Sequence, residues 1–327
     1  MMKKISFLAI SLCLLFSISG CKTEINFAIP GHPLLFSDEP EYSKTDYPIV
    51  LVHGLYGFDD IFGLQYFYQI PTVLRNGGAE VYIAEVSGTT KPEQRGEQLI
   101  KQLDEFAAIS GKPKFNLFGH SLGAPTIRYV AATRPDLVAS VTSVAGANFG
   151  SDVADAKALD IPPVALIIGL MGNVLGHVID IVSQNNFEQN ILDTLESMST
   201  EGIVEFNGKY PDGLPSAPCG TDGDEVVINA ISNEPIRYYS WGGNAQTTNK
   251  LDPLDLLHAV VTKAIDGDDD DGIVPRCSMQ LGHVIRDDYK MNHLDHMNWF
   301  LGLKAKDAPY PPALYRAQAN RLKTLGL

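Results

Sequence analysis

Positive charge is scarce in this chain: 25 Lys and Arg stand against 39 Asp and Glu over 327 residues, a formal net charge of -14. No Lys/Arg run exceeds two residues. Binding phosphate needs a basic face, so the balance argues against nucleic acid as a partner. An acidic surface suits a soluble enzyme with a neutral substrate. Long apolar runs are also lacking. Met1-Met2-Lys3-Lys4 opens into an apolar stretch, Ile5 to Ile18, too short to span a bilayer comfortably, and the pattern reads as a signal peptide over 1–20. There is no internal repeat.

Cysteine is sparse, with four residues. Cys13 leaves with the signal peptide. Cys21 closes Ile18-Ser19-Gly20-Cys21, which resembles the lipobox of bacterial lipoproteins, so Cys21 is the expected lipidation site; an ordinary signal peptide with a chance Cys is the alternative. Cys219 and Cys277 remain. In an oxidising compartment they most simply form one bridge, worth about 4 kcal/mol in the chain-entropy picture; two unrelated thiols are the other reading.

What is present is a core-forming composition, 45% hydrophobic. One α/β domain over 47–327 is the simplest division, after a Pro-, Gly- and charge-rich tether over 21–46. Pro48 to Val52 reads as a buried strand ending at His53-Gly54, and Phe62 to Leu74 as a helix stopped by Asn76-Gly77-Gly78. Strands follow at Val81–Ala84, Phe115–Phe118, Val138–Ala145 and Tyr238–Trp241. Pro92–Ile109 and Leu122–Thr133 read as helices. Such alternation predicts a mostly parallel central sheet with helices on both faces. The segment from Ile161 to Val182 is almost uncharged, and is either buried or meant to meet something apolar.

Gly119-His120-Ser121-Leu122-Gly123 is a Gly-x-Ser-x-Gly pattern between an expected strand and an expected helix. Only Gly tolerates the close approach such a turn forces at 119 and 123, and the turn lifts the Ser121 oxygen clear of the sheet. A serine hydroxyl needs an imidazole to take its proton. Among eight His, His53 and His120 flank the site-bearing strand ends and suit neighbouring roles. The order nucleophile, acid, base favours a late residue, and His293 fits best, with His296 as its competitor. Asp271, last of the acidic run and beside Gly272, is the expected acid; Asp268, Asp269 and Asp270 read as solvated charges. An EF-hand fails in this run, since Asp271 and Cys277 fall where Gly and Glu are needed. For the oxyanion, the backbone donors expected are Leu122, after the nucleophile, and Leu55, in the turn after the first strand.

Tyr47-Pro48-Ile49-Val50-Leu51-Val52-His53-Gly54, Arg95-Gly96-Glu97-Gln98-Leu99, Gly119-His120-Ser121, Pro125 to Ala132 and Met291-Asn292-His293-Leu294-Asp295 resemble the true lipases of Pseudomonas and Burkholderia, bacterial lipase family I. The likeness runs from about Tyr47 to Leu327. It implies an α/β-hydrolase fold and hydrolysis of triacylglycerols by Ser121, Asp271 and His293, with Leu55 and Leu122 as oxyanion donors. It implies a structural calcium ion held by Asp252, Asp295 and the carbonyls of Trp299 and Leu303, a bridge between Cys219 and Cys277 that pins the Asp271 loop, and a helical lid at 161–182. A lipase-specific foldase is the partner it suggests. The chain departs from the pattern at Leu122, where relatives often carry a second His, and at its lipobox. Two other functions compete: an esterase or other acyl hydrolase of shorter chains, and a non-catalytic surface lipoprotein.

Overall fold

The computed structural model describes residues 40–57, 60–61, 64–155, 187–252, 255, 258–259, 262, 269–299 and 301–327. The expected signal peptide, Cys21, most of the expected tether and the apolar segment from Ile161 to Val182 lie outside them. In chain order come β1 (Ile49–Val52), a short hairpin of β2 (Asp60–Ile61) and β3 (Leu64–Gln65), α1 (Ile70–Asn76), β4 (Val81–Ala84) and α2 (Pro92–Ser110). Then follow β5 (Phe115–His120), α3 (Gly123–Thr133), β6 (Val138–Val144), α4 (Ile191–Met198) and α5 (Thr200–Lys209). β7 (Val226–Ile228), β8 (Pro235–Gly243), β9 (His283–Tyr289) and α6 (Pro311–Thr324) come last, and short 3-10 turns lie at Pro135–Leu137, Arg276–Met279 and Asp295–Met297.

All four side chains of β1 are buried, which a strand tolerates only when both faces of its sheet are covered. Side chains alternate across a strand. Ile49 and Leu51 therefore join one apolar cluster, closed by Leu74 of α1 and by Tyr315, Ala319 and Leu322 of α6. Val50 and Val52 join the opposite cluster, closed by Leu99 and Leu103 of α2 and by Ile127, Val130 and Ala131 of α3.

The sheet runs β4-β1-β5-β6-β8-β7, with β9 also beside β8. Every pairing in it is parallel except that of β7 with β8, as the alternating pattern requires. Register sets the strand ends level: Val52 pairs with Ala84 and Gly119, His120 with Val144, and Val144 with Trp241. The loops leaving β1, β5 and β6 thus emerge along one edge, where open α/β sheets place their sites.

Two boundaries differ from the sequence reading. The expected helix from Phe62 to Leu74 begins only at Ile70, with β3 in its place upstream. Pro71 accounts for this: it fits a first helical turn but deeper in a helix would lack an N–H and clash with the preceding turn. Gln69 ahead of it takes φ 63°, left-handed and outside any helix. The packed body also extends before Tyr47. Ser43 N–H donates to Gly77 O at 2.7 Å, Asp46 N–H donates to Leu327 O at 2.7 Å, and the Arg316 guanidinium lies 4.1 Å over the Tyr42 ring.

Candidate active site

Ser121 sits between β5 and α3 with φ 56°, a left-handed backbone that a non-glycine residue adopts only when its surroundings force it. Here they do. A Cβ on Gly119 would stand 2.3 Å from Gly123 O, and one on Gly123 2.4 Å from Val52 O. Ser121 N–H donates to Val144 O at 3.0 Å, tying the turn to β6. Leu122 follows at the N-terminus of α3, where helical N–H groups lack intrahelical acceptors and favour negative charge.

His293 and Asp271 meet across 22 residues of sequence. Nδ1–H of His293 donates to Asp271 Oδ2 at 2.7 Å, and His293 N–H donates to Asp271 O at 2.8 Å. The other carboxylate oxygen accepts N–H bonds from Ile273 and Val274, at 3.1 and 2.8 Å. Gly272 makes that turn possible with φ 93°. Burial by itself raises the Asp271 pKa, but His293 and the backbone donors outweigh it and hold the carboxyl below the usual carboxylate range. With Nδ1 committed, Nε2 of His293 is the nitrogen left to act as base. Its ring packs against that of His120, the residue before Ser121, with centroids 4.7 Å apart.

The turn after β1 rests directly on this elbow. A Cβ on Gly54 would stand 2.7 Å from Ser121 Cβ and 3.1 Å from His120 O. Leu55 packs into the apolar cluster of Leu122, Ala145 and Val274. Arg95, fully buried, clamps the turn by donating to the carbonyls of His53, Gly54 and Ser87 and to Thr126 Oγ1. Burial lowers its pKa to about 9. His53 is neutral, lowered to about 3 by burial and then by Arg95. Its Nε2 accepts Val86 N–H at 3.4 Å, so Nδ1–H donates to Gly54 O at 2.9 Å.

The four expected calcium donors come from segments that are joined. Asn249 Nδ2 donates to Lys304 O at 3.2 Å, and Asp252 N–H donates to Asn249 O at 2.9 Å, bringing the Asp252 stretch against the residue after Leu303. Asp252 and Asp295 are both buried. Asp295 Oδ2 accepts Asn292 N–H at 3.1 Å, while its Oδ1 is buried with no hydrogen-bond partner among the described residues. Burial, reinforced by the charges of Asp255 and Asp252, pushes this carboxyl up to about 7. A buried carboxylate oxygen without a hydrogen-bond partner among the described residues, its nearby charges Asp255 and Asp252 of its own sign, fits a hard cation. Among the described residues, no cluster of three or more His, Cys, Asp or Glu is arranged to hold a metal ion, so such a site would rest on two carboxylates and main-chain oxygens.

Cys219 and Cys277 are bridged, with Cα atoms 4.6 Å apart. Next to Cys277, Arg276 N–H donates to Asp269 O and its guanidinium to Asp269 Oδ2 at 2.7 Å, so the bridged segment holds the acidic loop. Asp269 is exposed, as expected. Asp270 is not: it is buried, accepting Gly272 N–H at 2.6 Å and Gln246 Nε2–H at 2.9 Å. Its carboxylate shapes the turn, and the reading of it as a solvated charge is corrected. Asp268 lies outside the described residues. His296 is buried, lowered to about 4 by burial, with neither ring nitrogen hydrogen-bonded among the described residues.

Sequence reasoning missed Tyr66, whose hydroxyl meets Gly54 N–H at 2.9 Å and His120 Nδ1 at 2.8 Å, contacts that exist only in the folded chain. It also missed Asn292, for which a signal exists. Asn292 Oδ1 accepts Asp295 N–H at 2.9 Å while Asp295 accepts Asn292 N–H. This is the reciprocal pattern of a capping box, readable from an Asn and an acid three apart.

Residues 47–167 match the family described as alpha/beta hydrolase fold. The chain is 46% identical over 291 residues to a triacylglycerol lipase of Vibrio cholerae serotype O1, covering 88% of this chain and 90% of that one. It is 39% identical to a triacylglycerol lipase of Pseudomonas fragi (87% and 98% covered) and 35% identical to one of Burkholderia plantarii (88% of each). Among solved structures, Staphylococcus hyicus lipase superposes with a TM-score of 0.55 at 18% identity, covering 89% of this chain and 99% of that one. Bacillus licheniformis lipase BlEst2 in mature form gives 0.55 at 17% identity (90% and 96%). At such identities the superpositions speak for the fold.

Proposed function

The chain belongs to the triacylglycerol lipases of the α/β-hydrolase fold, and from that premise we propose that it hydrolyses esters of long-chain fatty acids through an acyl-enzyme on Ser121. The observation that carries the residue assignment is the buried Asp271–His293 pair, its imidazole packed at a tilt against that of His120, the neighbour of Ser121. His293 Nε2 takes the Ser121 proton as the oxygen attacks the ester carbonyl. Asp271 holds the ring in the required tautomer and stabilises the imidazolium. The amides of Leu55 and Leu122 receive the charge developing on the carbonyl oxygen. His293 then protonates the departing alcohol, and water, activated by the same imidazole, releases the fatty acid. A matched series of emulsified long-chain triglyceride and soluble short-chain esters tests the substrate. Preference for the short esters favours the esterase reading. Ser121→Ala is expected to abolish both activities with the fold intact; turnover within tenfold of the parent overturns the nucleophile.

Calcium, held by Asp252, Asp295 and the carbonyls of Trp299 and Leu303, would supply positive charge to the orphaned Asp295 oxygen and fix the loop carrying His293, taking no part in bond making. Family membership supports a dedicated foldase as partner. Ile18-Ser19-Gly20-Cys21 supports export as a lipoprotein acylated at Cys21. Among the described residues, no helix is long and apolar enough to cross a membrane.

A further inference from the structure

The hydroxyl of Tyr66 stands where three site-bearing segments meet. It receives the N–H of Gly54 at 2.9 Å, from the turn after β1, and contacts Nδ1 of His120 at 2.8 Å, in the elbow. Nε2 of His120 lies 3.0 Å from the carbonyl of His293. These contacts have only one consistent set of protons. A carbonyl accepts and never donates, so Nε2 carries the hydrogen. Burial, aided by the neighbouring histidines, holds His120 well below the ordinary imidazole range and hence neutral. Nδ1 is then a bare acceptor, the Tyr66 O–H donates to it, and the phenolic lone pair is free for Gly54 N–H. These bonds run from the oxyanion turn through Tyr66 and His120 to the backbone of the base.

Tyr66 is itself anchored to the loop that follows His293. Trp299 Nε1–H donates to Gln65 O at 2.7 Å, Asn298 Nδ2–H to Tyr68 O at 3.0 Å, and Tyr68 N–H to Met297 O at 3.1 Å. A Cβ on Gly54 would meet the Tyr66 hydroxyl at 2.9 Å as well as Ser121 Cβ at 2.7 Å, so the turn has no slack on either side. Tyr66 and His120 are both buried, and neither is needed for the acid-base steps.

Resting on the serine-hydrolase reading above, we propose that Tyr66 and His120 are positioning residues: one hydrogen-bond relay, Gly54–Tyr66–His120–His293, sets the depth of the Leu55 oxyanion donor against the general base. Displacement of such a donor by about 1 Å is enough to lower turnover by about a hundredfold. The oxyanion bond forms fully only in the transition state, so its misplacement falls on kcat and spares KM.

The test compares Tyr66→Phe, His120→Asn and the double variant with the parent enzyme on a soluble p-nitrophenyl ester, every rate divided by the sites titrated with an organophosphonate. Tyr310→Phe serves as control, since it removes a hydroxyl bonded to Gln69 of the same segment but off the relay. Tyr66→Phe is expected to lower kcat per titrated site by about tenfold or more, with KM held within about twofold. His120→Asn retains an acceptor near the Nδ1 position but loses the bond to His293, and is expected to cause a similar loss. Members of one chain are not independent, so the double variant is expected to fall little below the worse single one. Parental kcat per site in Tyr66→Phe, fully additive losses, or an equal fall in Tyr310→Phe overturns the relay. If Tyr66→Phe does not fold, His120→Asn carries the same comparison. A parent enzyme that takes no organophosphonate and hydrolyses no ester overturns the serine-hydrolase reading instead.

Discussion

Five acidic residues stand between Ile265 and Gly272, Asp266 and then Asp268 to Asp271, and chemically they are alike. Position separates them. Asp271 is fully buried with both oxygens engaged, whereas Asp269 is exposed and paired with Arg276. Exposed ion pairs contribute little, about 0–1 kcal/mol. Asp271→Asn is therefore expected to lower kcat by orders of magnitude through loss of the imidazolium partner, and Asp269→Asn to leave kcat within about twofold. Stopped-time ester assays on both variants check this; equal losses would remove Asp271 from its role. The choice of Asp271 was legible because Gly272 marks a tight turn next to it. The burial of Asp270 was not, because its donors, Gly272 N–H and Gln246 Nε2–H, come together only in the folded loop.

At the scale of elements, the stretch from Asn292 to Leu303 carries both the base and the expected cation site. Asn298, Leu301 and Gly302 all take left-handed backbone in it, with φ 65°, 54° and 78°. Met297 packs into the core with Leu294 and Trp299 against it, and the polar bonds of Asn292, Asp295 and Asn298 fix the curl itself. A ligand bound only by the native state stabilises by about 2.7 kcal/mol when present at a hundredfold its Kd, worth several degrees in a domain of this size at roughly 2–4 °C per kcal/mol. A strong chelator is expected to lower the Tm by that amount and readded calcium to restore it, while Asp252→Ala abolishes the response. An unchanged Tm in chelator, together with an unshifted Asp252→Ala variant, removes calcium from the account. The β2-β3 hairpin shows the converse limit of element reading. The apolar spacing from Phe62 to Leu74, which takes in β3 but not β2, matches a helix, and only Pro71 and the left-handed Gln69 place the start of α1 at Ile70.

For the whole molecule, the prediction concerns location. Acyl chains on Cys21 would contribute about 0.8 kcal/mol per buried methylene, so the mature protein is expected to fractionate with membranes. Lys22, rather than an acid, follows the cysteine, which makes the outer membrane the expected destination. Cys21→Ser is expected to release the enzyme or to leave it uncleaved. Mass spectrometry that finds an unmodified N-terminus in the culture medium replaces anchoring with ordinary secretion. The packed body begins by Tyr42, through contacts with α1 and α6, which shortens any linker between Cys21 and the catalytic body.

The sequence by itself determined what depends on neighbours along the chain. The buried run Ile49–Val52, the glycines at 119 and 123, and the alternation of strands with helices are local constraints, and they led to the parallel sheet, the elbow and its nucleophile. The choice of Asp271 and His293 followed from the Gly272 turn and the order nucleophile, acid, base, and the Cys219–Cys277 bridge from two cysteines remaining in an oxidising compartment. Family likeness agreed with both and added the calcium donors. Only the tertiary structure decided the groups that hold these parts in register: Arg95 on three carbonyls, Asp270 under its turn, and Tyr66 between Gly54 and His120. The physical reason is common to all three. A buried polar side chain must find a partner or lose its desolvation energy, and those partners are mostly backbone amides and carbonyls, which every residue carries and no sequence pattern marks.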